Sequence, residues 1–523
     1  MECSFAFALC SGIVFTISFL VLTISLRRFP LKRNQLPPGP RGWPLFGNMF
    51  DLGTLPHRSM AELSKKYGPV MWLRLGSVNT MVVSSAEAAM EMFKNHDISF
   101  AGRTSTVALR VHHFNQSSMT MAQYGPYWRL LRRIYTTELF TTSRINGTQS
   151  LRARCMDYVT RWIHDEYHLN GGSVEIGRFV ALVGLNIFGN VVLSKDCVVD
   201  PNSKQGAQFL DSFEEALKLV AAPNVADFFP FLQWLDPQRI KTNAYQSIGQ
   251  TLNFASGFVK ERLADRQNGI VKTKKDFLDV ILDYHDQGAD QKGTEITEEN
   301  VNVMIMELLL ASTDSTTSTI EWALVELLRH PNIMKDLQDE LTRVVGPGKK
   351  VDEDDIGKLE LLQAVVKETL RLHPTVPVLV PRRAMEDTEF MGYLIPKDTQ
   401  VFVNIWAIGK DPVSWRDPLS FKPERFLGST IDYRGQHFQF LPFGAGRRMC
   451  VAIMLAHRML HLGLGSLIHS FDWGLEDGTM PDDMDMGERL GFTLRKKVPL
   501  KVVLKPRTYK QDSNGRGDEI QYI

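Results

Sequence analysis

The chain has 523 residues, 44% hydrophobic and 23% charged, a composition that supports a large packed core and excludes a mostly disordered chain or a fibre. Sixty Lys and Arg against 59 Asp and Glu leave a formal charge of +1, so no global positive field is available to hold a nucleic-acid backbone. The five cysteines, Cys3, Cys10, Cys155, Cys197 and Cys450, are odd in number and lack CxxC spacing, which argues against a disulfide scaffold or a Cys-rich zinc site.

In chain order, the first element is an uncharged run from Cys3 to Leu26. As a helix rising about 1.5 Å per residue it spans a hydrocarbon core of about 30 Å, so one transmembrane helix is expected. Arg27, Arg28, Lys32 and Arg33 follow it while Glu2 precedes it, and the positive-inside rule then puts the rest of the chain in the cytosol. A cleavable signal peptide would carry its positive charges before the apolar run. Next, Pro37-Pro38-Gly39-Pro40 reads as a stiff spacer or as a plain linker. The chain divides on this reading into an anchor (1–26), a basic, proline-rich linker (27–40), a globular domain (41–506) and a polar tail (507–523).

Residues 70–76 and 80–85 read as a hairpin, and 388–405 as two extended runs separated by Pro396-Lys397-Asp398. Between about 120 and 375 the character is helical. The longest helix is predicted from Glu298 to Arg329, capped by Thr297, favoured at its start by Glu298 and Glu299, and stopped by Pro331. The expected fold is mainly α with small β-sheets. No strand runs into GxGxxG, so a nicotinamide site within the chain is not expected and NADPH electrons would arrive through another protein.

Five motifs carry chemical information. Trp128 and Arg132 share a helical face, as an amphipathic edge or a binding surface. Ala311 to Thr317 crowds hydroxyls and Asp314 into a helix that they weaken, as a solvent stripe or as a proton path. Glu368 and Arg371 lie one turn apart, as an exposed pair or a buried one. Arg382 follows Pro381 beside Arg383. The segment from Phe440 to Ala452 sets Cys450 on a Gly-rich turn with two arginines, ahead of an apolar helix from Ile453 to Leu464. It is a structural turn or an anionic ligand for a large acidic macrocycle.

The last segment resembles the cytochrome P450 signature FxxGxRxCxG, matched at Phe443, Gly446, Arg448 and Cys450, with Ala452 in place of the final glycine. The likeness runs from the anchor to about residue 505. It implies the cytochrome P450 fold after one N-terminal transmembrane helix, with 41–506 as the haem-thiolate catalytic domain. Haem b (iron protoporphyrin IX) would take Cys450 as its axial ligand. Trp128, Arg132, Arg382 and Arg448 would contact its propionates, and Phe443 would belong to the cofactor-binding turn. Glu368, Arg371 and Arg425 of Pro423-Glu424-Arg425-Phe426 would form a structural network. In the oxygen-binding helix Ala311 and Asp314 match the family pattern. Ser312 stands where glycine is usual, adding a side chain on the oxygen side, and Ser315 replaces threonine. Asp314 and Ser315 would manage protons.

The resemblance further implies O2 and an NADPH–cytochrome P450 reductase as partners, membrane lipid, and an endoplasmic reticulum protein spanning the membrane once with its catalytic domain on the cytosolic side. Its style is similar to the plant microsomal group of geraniol hydroxylases and iridoid oxidases. A small hydrophobic substrate, monoterpenoid or iridoid, oxidised in one or successive steps, is therefore expected, with Ala311, Val376, Val378, Leu379 and Phe492 lining its pocket. Competing readings are hydroxylation or coupling of an alkaloid or phenylpropanoid, rearrangement of a peroxide without a reductase, and a membrane haem-binding or sensing protein without turnover.

Overall fold

The computed structural model describes residues 12, 16, 35–169, 173–202, 204–270, 272, 274–288, 294–476 and 479–507, with the side chains of 204–210 excepted. The expected anchor (apart from two isolated positions), the basic part of the linker and all but the first residue of the tail lie outside the described residues.

The organising element is the 32-residue helix Glu298–Arg329, with the predicted boundaries. Thr297 Oγ1 accepts from the Asn300 N–H, and the Asn300 side chain accepts in return from the Thr297 N–H, so two otherwise unmet donors are satisfied at its start. Pro331 opens the next helix directly after its cap, His330. The long helix is buried on nearly every face, with Met304, Ile305, Trp322 and Leu324 at 0% exposure. Such all-round burial marks a helix crossing the middle of a domain. Helices Ile176–Leu193 and Ile453–Ser470 pack against it, and Gln149–Leu169 packs on both of these. The final helix extends one to two turns beyond the predicted Leu464 because its tail, Gly465 to His469, remains buried.

Among the described residues, Ile176–Leu193 is the one helix long and apolar enough to cross a membrane, yet 78% of it is buried within the protein. Its apolar surface is already spent on the core, so in this fold it serves as a core helix.

The main sheet has five strands in the order Val70–Leu75, Val78–Val83, Gln400–Val403, Arg382–Arg383, Gly102–Arg103. The predicted hairpin closes with Val70 opposite Val83, and Val83 pairs in parallel with Val403. The 388–405 region holds three strands rather than two. Thr388–Phe390 turns back onto Tyr393–Ile395 through Met391 and Gly392, both at positive φ, before Gln400–Val403 enters the main sheet. Two central residues in this conformation make the tight turn that suits an antiparallel hairpin. Arg382, in the sheet, thereby comes beside the segment that carries Asp97.

Candidate active site

The turn before Cys450 is held by backbone geometry. Gly444 and Gly446 have φ of 70° and 69°, which favours glycine. A Cβ on Gly446 would lie 2.5 Å from Asp97 Oδ1. The Cys450 N–H donates to the Phe443 carbonyl at 3.0 Å. Asp97 ties the turn to the sheet, accepting from the Arg447 N–H at 2.9 Å, from Arg447 Nη1 at 3.1 Å and from Arg382 Nη1 at 3.0 Å. Burial pushes the Cys450 thiol up, while the Ala452 N–H and the Arg132 charge pull it down. Ala452 itself sits at φ −93°, ψ 16°, so the backbone makes no demand for the glycine usual at that position.

Around the cysteine gather four guanidinium groups. Arg132 Nη1 donates to the Met449 carbonyl at 2.7 Å. Arg448 donates to the carbonyls of Ala101 at 3.0 Å and Ala122 at 2.6 Å, and stacks 4.5 Å above the Trp128 ring. Arg382 reaches the Ala445 carbonyl at 3.1 Å, and Arg103 the Thr120 and Val380 carbonyls. Burial, and after it the positive charges of Arg382 and Arg132, pulls Arg448 down to about 9. Its Nη1 is buried without a partner. A concentration of buried cations with an unmet donor has the chemistry of a site for a bulky dianion. The Trp128 indole N–H, expected to face the same group, donates to the Met119 carbonyl at 3.1 Å, so the tryptophan offers its ring to Arg448 and braces the loop before it. Phe443 turns its ring to Tyr433, with centroids 5.2 Å apart.

Beneath this region Glu368 and Arg371 are both fully buried and paired twice, at 2.7 and 2.8 Å. Arg371 spends its other donors on the carbonyls of Gly409, Pro418 and Ser420, and Glu368 also accepts from Arg425 Nε at 2.9 Å and the Lys422 N–H at 2.8 Å. The predicted trio thus meets in one satisfied network.

On the long helix, Ala311 is exposed and Ser315 partly so within an otherwise buried stretch, which marks the face open to the site. Ser315 Oγ donates to the Ala311 carbonyl at 2.9 Å. Ser312 does not project into that opening: it is buried and donates to the Leu309 carbonyl at 3.1 Å. Such back-bonding is how a helix absorbs a hydroxyl-rich run. Asp314, 2% exposed, accepts from the Thr493 hydroxyl and forms an ion pair with Arg495, which also reaches Glu214 at 3.4 Å.

The pocket candidates divide. Val376 is partly exposed and Phe492 37% exposed, and the Leu494 N–H donates to the Thr375 carbonyl at 2.7 Å, which brings their two loops together. Val378 packs against the cluster of Leu52, Met60 and Met71, and Leu379, at φ 53°, against a second sheet cluster. Both are therefore at least partly core residues. Sequence reading missed Asp97, Arg103, Glu307 and Arg495. Glu307 accepts from the Ser118 hydroxyl at 2.6 Å and from the N–H groups of Met119 at 2.8 Å and Thr120 at 2.9 Å, latching that loop to the long helix. An acidic residue at 307 in an apolar run was the one local signal.

Comparison with known proteins agrees with this geometry. The Cytochrome P450 family model matches residues 37–502. The chain belongs to the cytochrome P450 family. Iridoid oxidase from Catharanthus roseus is 49% identical over 94% of this chain and 95% of its own length. Geraniol 8-hydroxylase from Swertia mussotii is 40% identical over 95% and 98% respectively. A solved zebra fish cytochrome P450, determined with abiraterone, superposes with a TM-score of 0.71 at 26% identity, covering 87% of this chain and all of that one. This plant microsomal P450 is accordingly a monooxygenase, and the fold implies haem b and NADPH-dependent electron supply. The cysteine turn and the unmet Arg448 donor fit that group.

Proposed function

We propose that this P450 oxidises a small monoterpenoid or iridoid, carrying it through one or more oxidation steps at the face of the long helix opened by Ala311. The reading is carried by the 49% identity to an iridoid oxidase across 94% of the chain, and the geraniol 8-hydroxylase relatives bear in the same direction. Haem, when bound, supplies reductive activation of O2 and insertion of one oxygen atom into a C–H bond.

The chain's own residues supply ligation, orientation and protons. Cys450 provides the thiolate, with the Ala452 N–H and Arg132 favouring its charged form. Arg448, Arg382 and Arg132 would hold the propionates of a bound haem, with Trp128 bracing Arg448. Asp314 is the carboxylate from which a proton passes toward Ser315 through water, with Arg495 and Thr493 setting its position. Ala311, Val376 and Phe492 face the substrate, which is placed mainly by shape.

The division into an anchor (1–26), a linker (27–40), a catalytic domain (41–506) and a tail (507–523) belongs to the same proposal, as does residence in the endoplasmic reticulum membrane with the domain on the cytosolic side. Trp43 at 59% and Phe50 at 66% exposure follow the linker, and Phe46 packs 5.9 Å from Phe229, beside the exposed Phe231 and Trp234. An apolar aromatic surface formed next to the expected anchor suits the lipid interface. NADPH–cytochrome P450 reductase and O2 are the proposed partners.

The test is a terpenoid panel supplied to microsomes with reductase and NADPH, with products identified by mass. Oxygenated monoterpenoids or iridoids are expected. Turnover confined to alkaloids or phenylpropanoids would overturn the substrate assignment, and hydroperoxide turnover without reductase would overturn the monooxygenase route.

A further inference from the structure

The last turns of helix Gln149–Leu169 carry His164 and His168. Residues four apart lie on one helix face, one above the other. Here the two rings meet edge to face, with the Nε2 atoms sharing a hydrogen bond at 3.3 Å, which an ion would replace, and ring centroids at 4.5 Å. Two imidazole nitrogens each about 2.0–2.1 Å from a tetrahedral ion stand about 3.3–3.4 Å apart, so the observed separation is the bite of a two-histidine chelate. Asp165 Oδ1 lies 3.9 Å from His164 Nδ1, within a small rotation of accepting the N–H that a metal-bound imidazole offers from its other nitrogen.

We propose that His164 and His168 form a surface chelate for a borderline divalent transition ion, zinc or copper, with water completing the coordination. Imidazole donors select such ions over magnesium or calcium, which prefer oxygen ligands. The ion bridges the final turn of the helix and resists its fraying immediately before the strand Ser173–Glu175, which pairs with the C-terminal strand Lys501–Pro506. The proposal is independent of the substrate assignment.

The experiment uses tag-free, haem-loaded full-length protein in detergent, titrated with Zn2+ and separately with Cu2+, with Mg2+ as the control. Binding is followed by calorimetry, Cu2+ environment by electron paramagnetic resonance, and helix-end protection by hydrogen exchange over residues 161–169. One Zn2+ or Cu2+ equivalent is expected, with two imidazole nitrogens on copper and added protection at the helix end. Either His164→Ala or His168→Ala should weaken it at least about tenfold, since loss of one arm removes the effective concentration that the other arm supplies. Both side chains are at the surface, so an unchanged carbon monoxide difference spectrum will confirm that each variant folds. Unchanged affinity in the double variant, or loss in only one of the two single variants, would overturn the chelate, as would equal response to Mg2+.

Discussion

Two clusters of largely buried arginine differ in how completely they are neutralised. Around Glu368, every guanidinium donor has a carboxylate or carbonyl to meet, and the carboxylate accepts from Arg371, Arg425 and the Lys422 backbone. Around Cys450, Arg132, Arg382 and Arg448 lean on main-chain carbonyls, Asp97 serves two of the turn's cations, and Arg448 Nη1 has no partner. The first arrangement is complete in the polypeptide alone. The second leaves a cationic donor unmet, which suits an added anionic group, whereas the first needs nothing beyond the chain.

That contrast breaks most readily at the complete cluster. Arg371→Ala leaves Glu368 buried with half its hydrogen bonds, and a loss of about 3–5 kcal/mol is expected, read as collapse of soluble yield and thermal midpoint. Normal yield with full haem content would show that the network is not needed for folding. At the incomplete cluster the expected change is in haem retention rather than in fold. Arg448→Ala should release haem to a scavenger globin at least about tenfold faster, consistent with loss of one charged hydrogen bond at about 1.5 kcal/mol, while the circular dichroism of the apo form stays unchanged. Arg448→Lys should recover part of the loss.

A third test concerns the helix under the cysteine turn. His461 is 1% exposed, its Nε2 lacks a partner, and burial followed by the neighbouring His457 pulls its pKa to about 3. The unfolded chain, with an ordinary value near 6.5, binds the proton first. Stability is therefore fully present above about pH 6.5 and falls as the pH drops toward 3, by at most about 1.4 kcal/mol per pH unit from this group. Between pH 7 and 5 the urea midpoint of the wild type should fall more steeply than that of His461→Leu, and parallel curves would assign the acid sensitivity elsewhere. The smallest stability effect is expected from Ser315→Ala. Its hydroxyl meets only its own helix at Ala311, so the change should stay within about 0.5 kcal/mol while product formed per NADPH falls and peroxide rises. Wild-type coupling in that variant would route proton delivery elsewhere.

What the sequence discloses follows from the range of the interactions. The Glu298–Arg329 helix was legible to its ends because cap, acidic first turn and terminating proline are all local. Cys450, Glu368, Arg371 and Arg425 were legible through short motifs. The strand break at Met391 was not, because a methionine at positive φ gives no turn signal. Asp97, Glu307 and Arg495 were hidden for another reason: each is an ordinary charged residue whose partners lie hundreds of positions away or come from a different sheet. The Ser312 and Ala452 departures also needed the backbone. One hydroxyl folds onto its own helix, and the other site has a φ that any residue adopts.

Asp97 carries one more consequence, for the order of events during synthesis. The turn that presents Cys450 is closed by a carboxylate 350 positions earlier in the chain, and the sheet strand bearing Arg382 shares that carboxylate. The early segment can bury this charge only after Arg382 has emerged, and its set of partners is complete only with Arg447. A chain that ends between residues 382 and 447 keeps the Arg382 pairing of Asp97 and loses both Arg447 contacts, so the carboxylate is then only half-served.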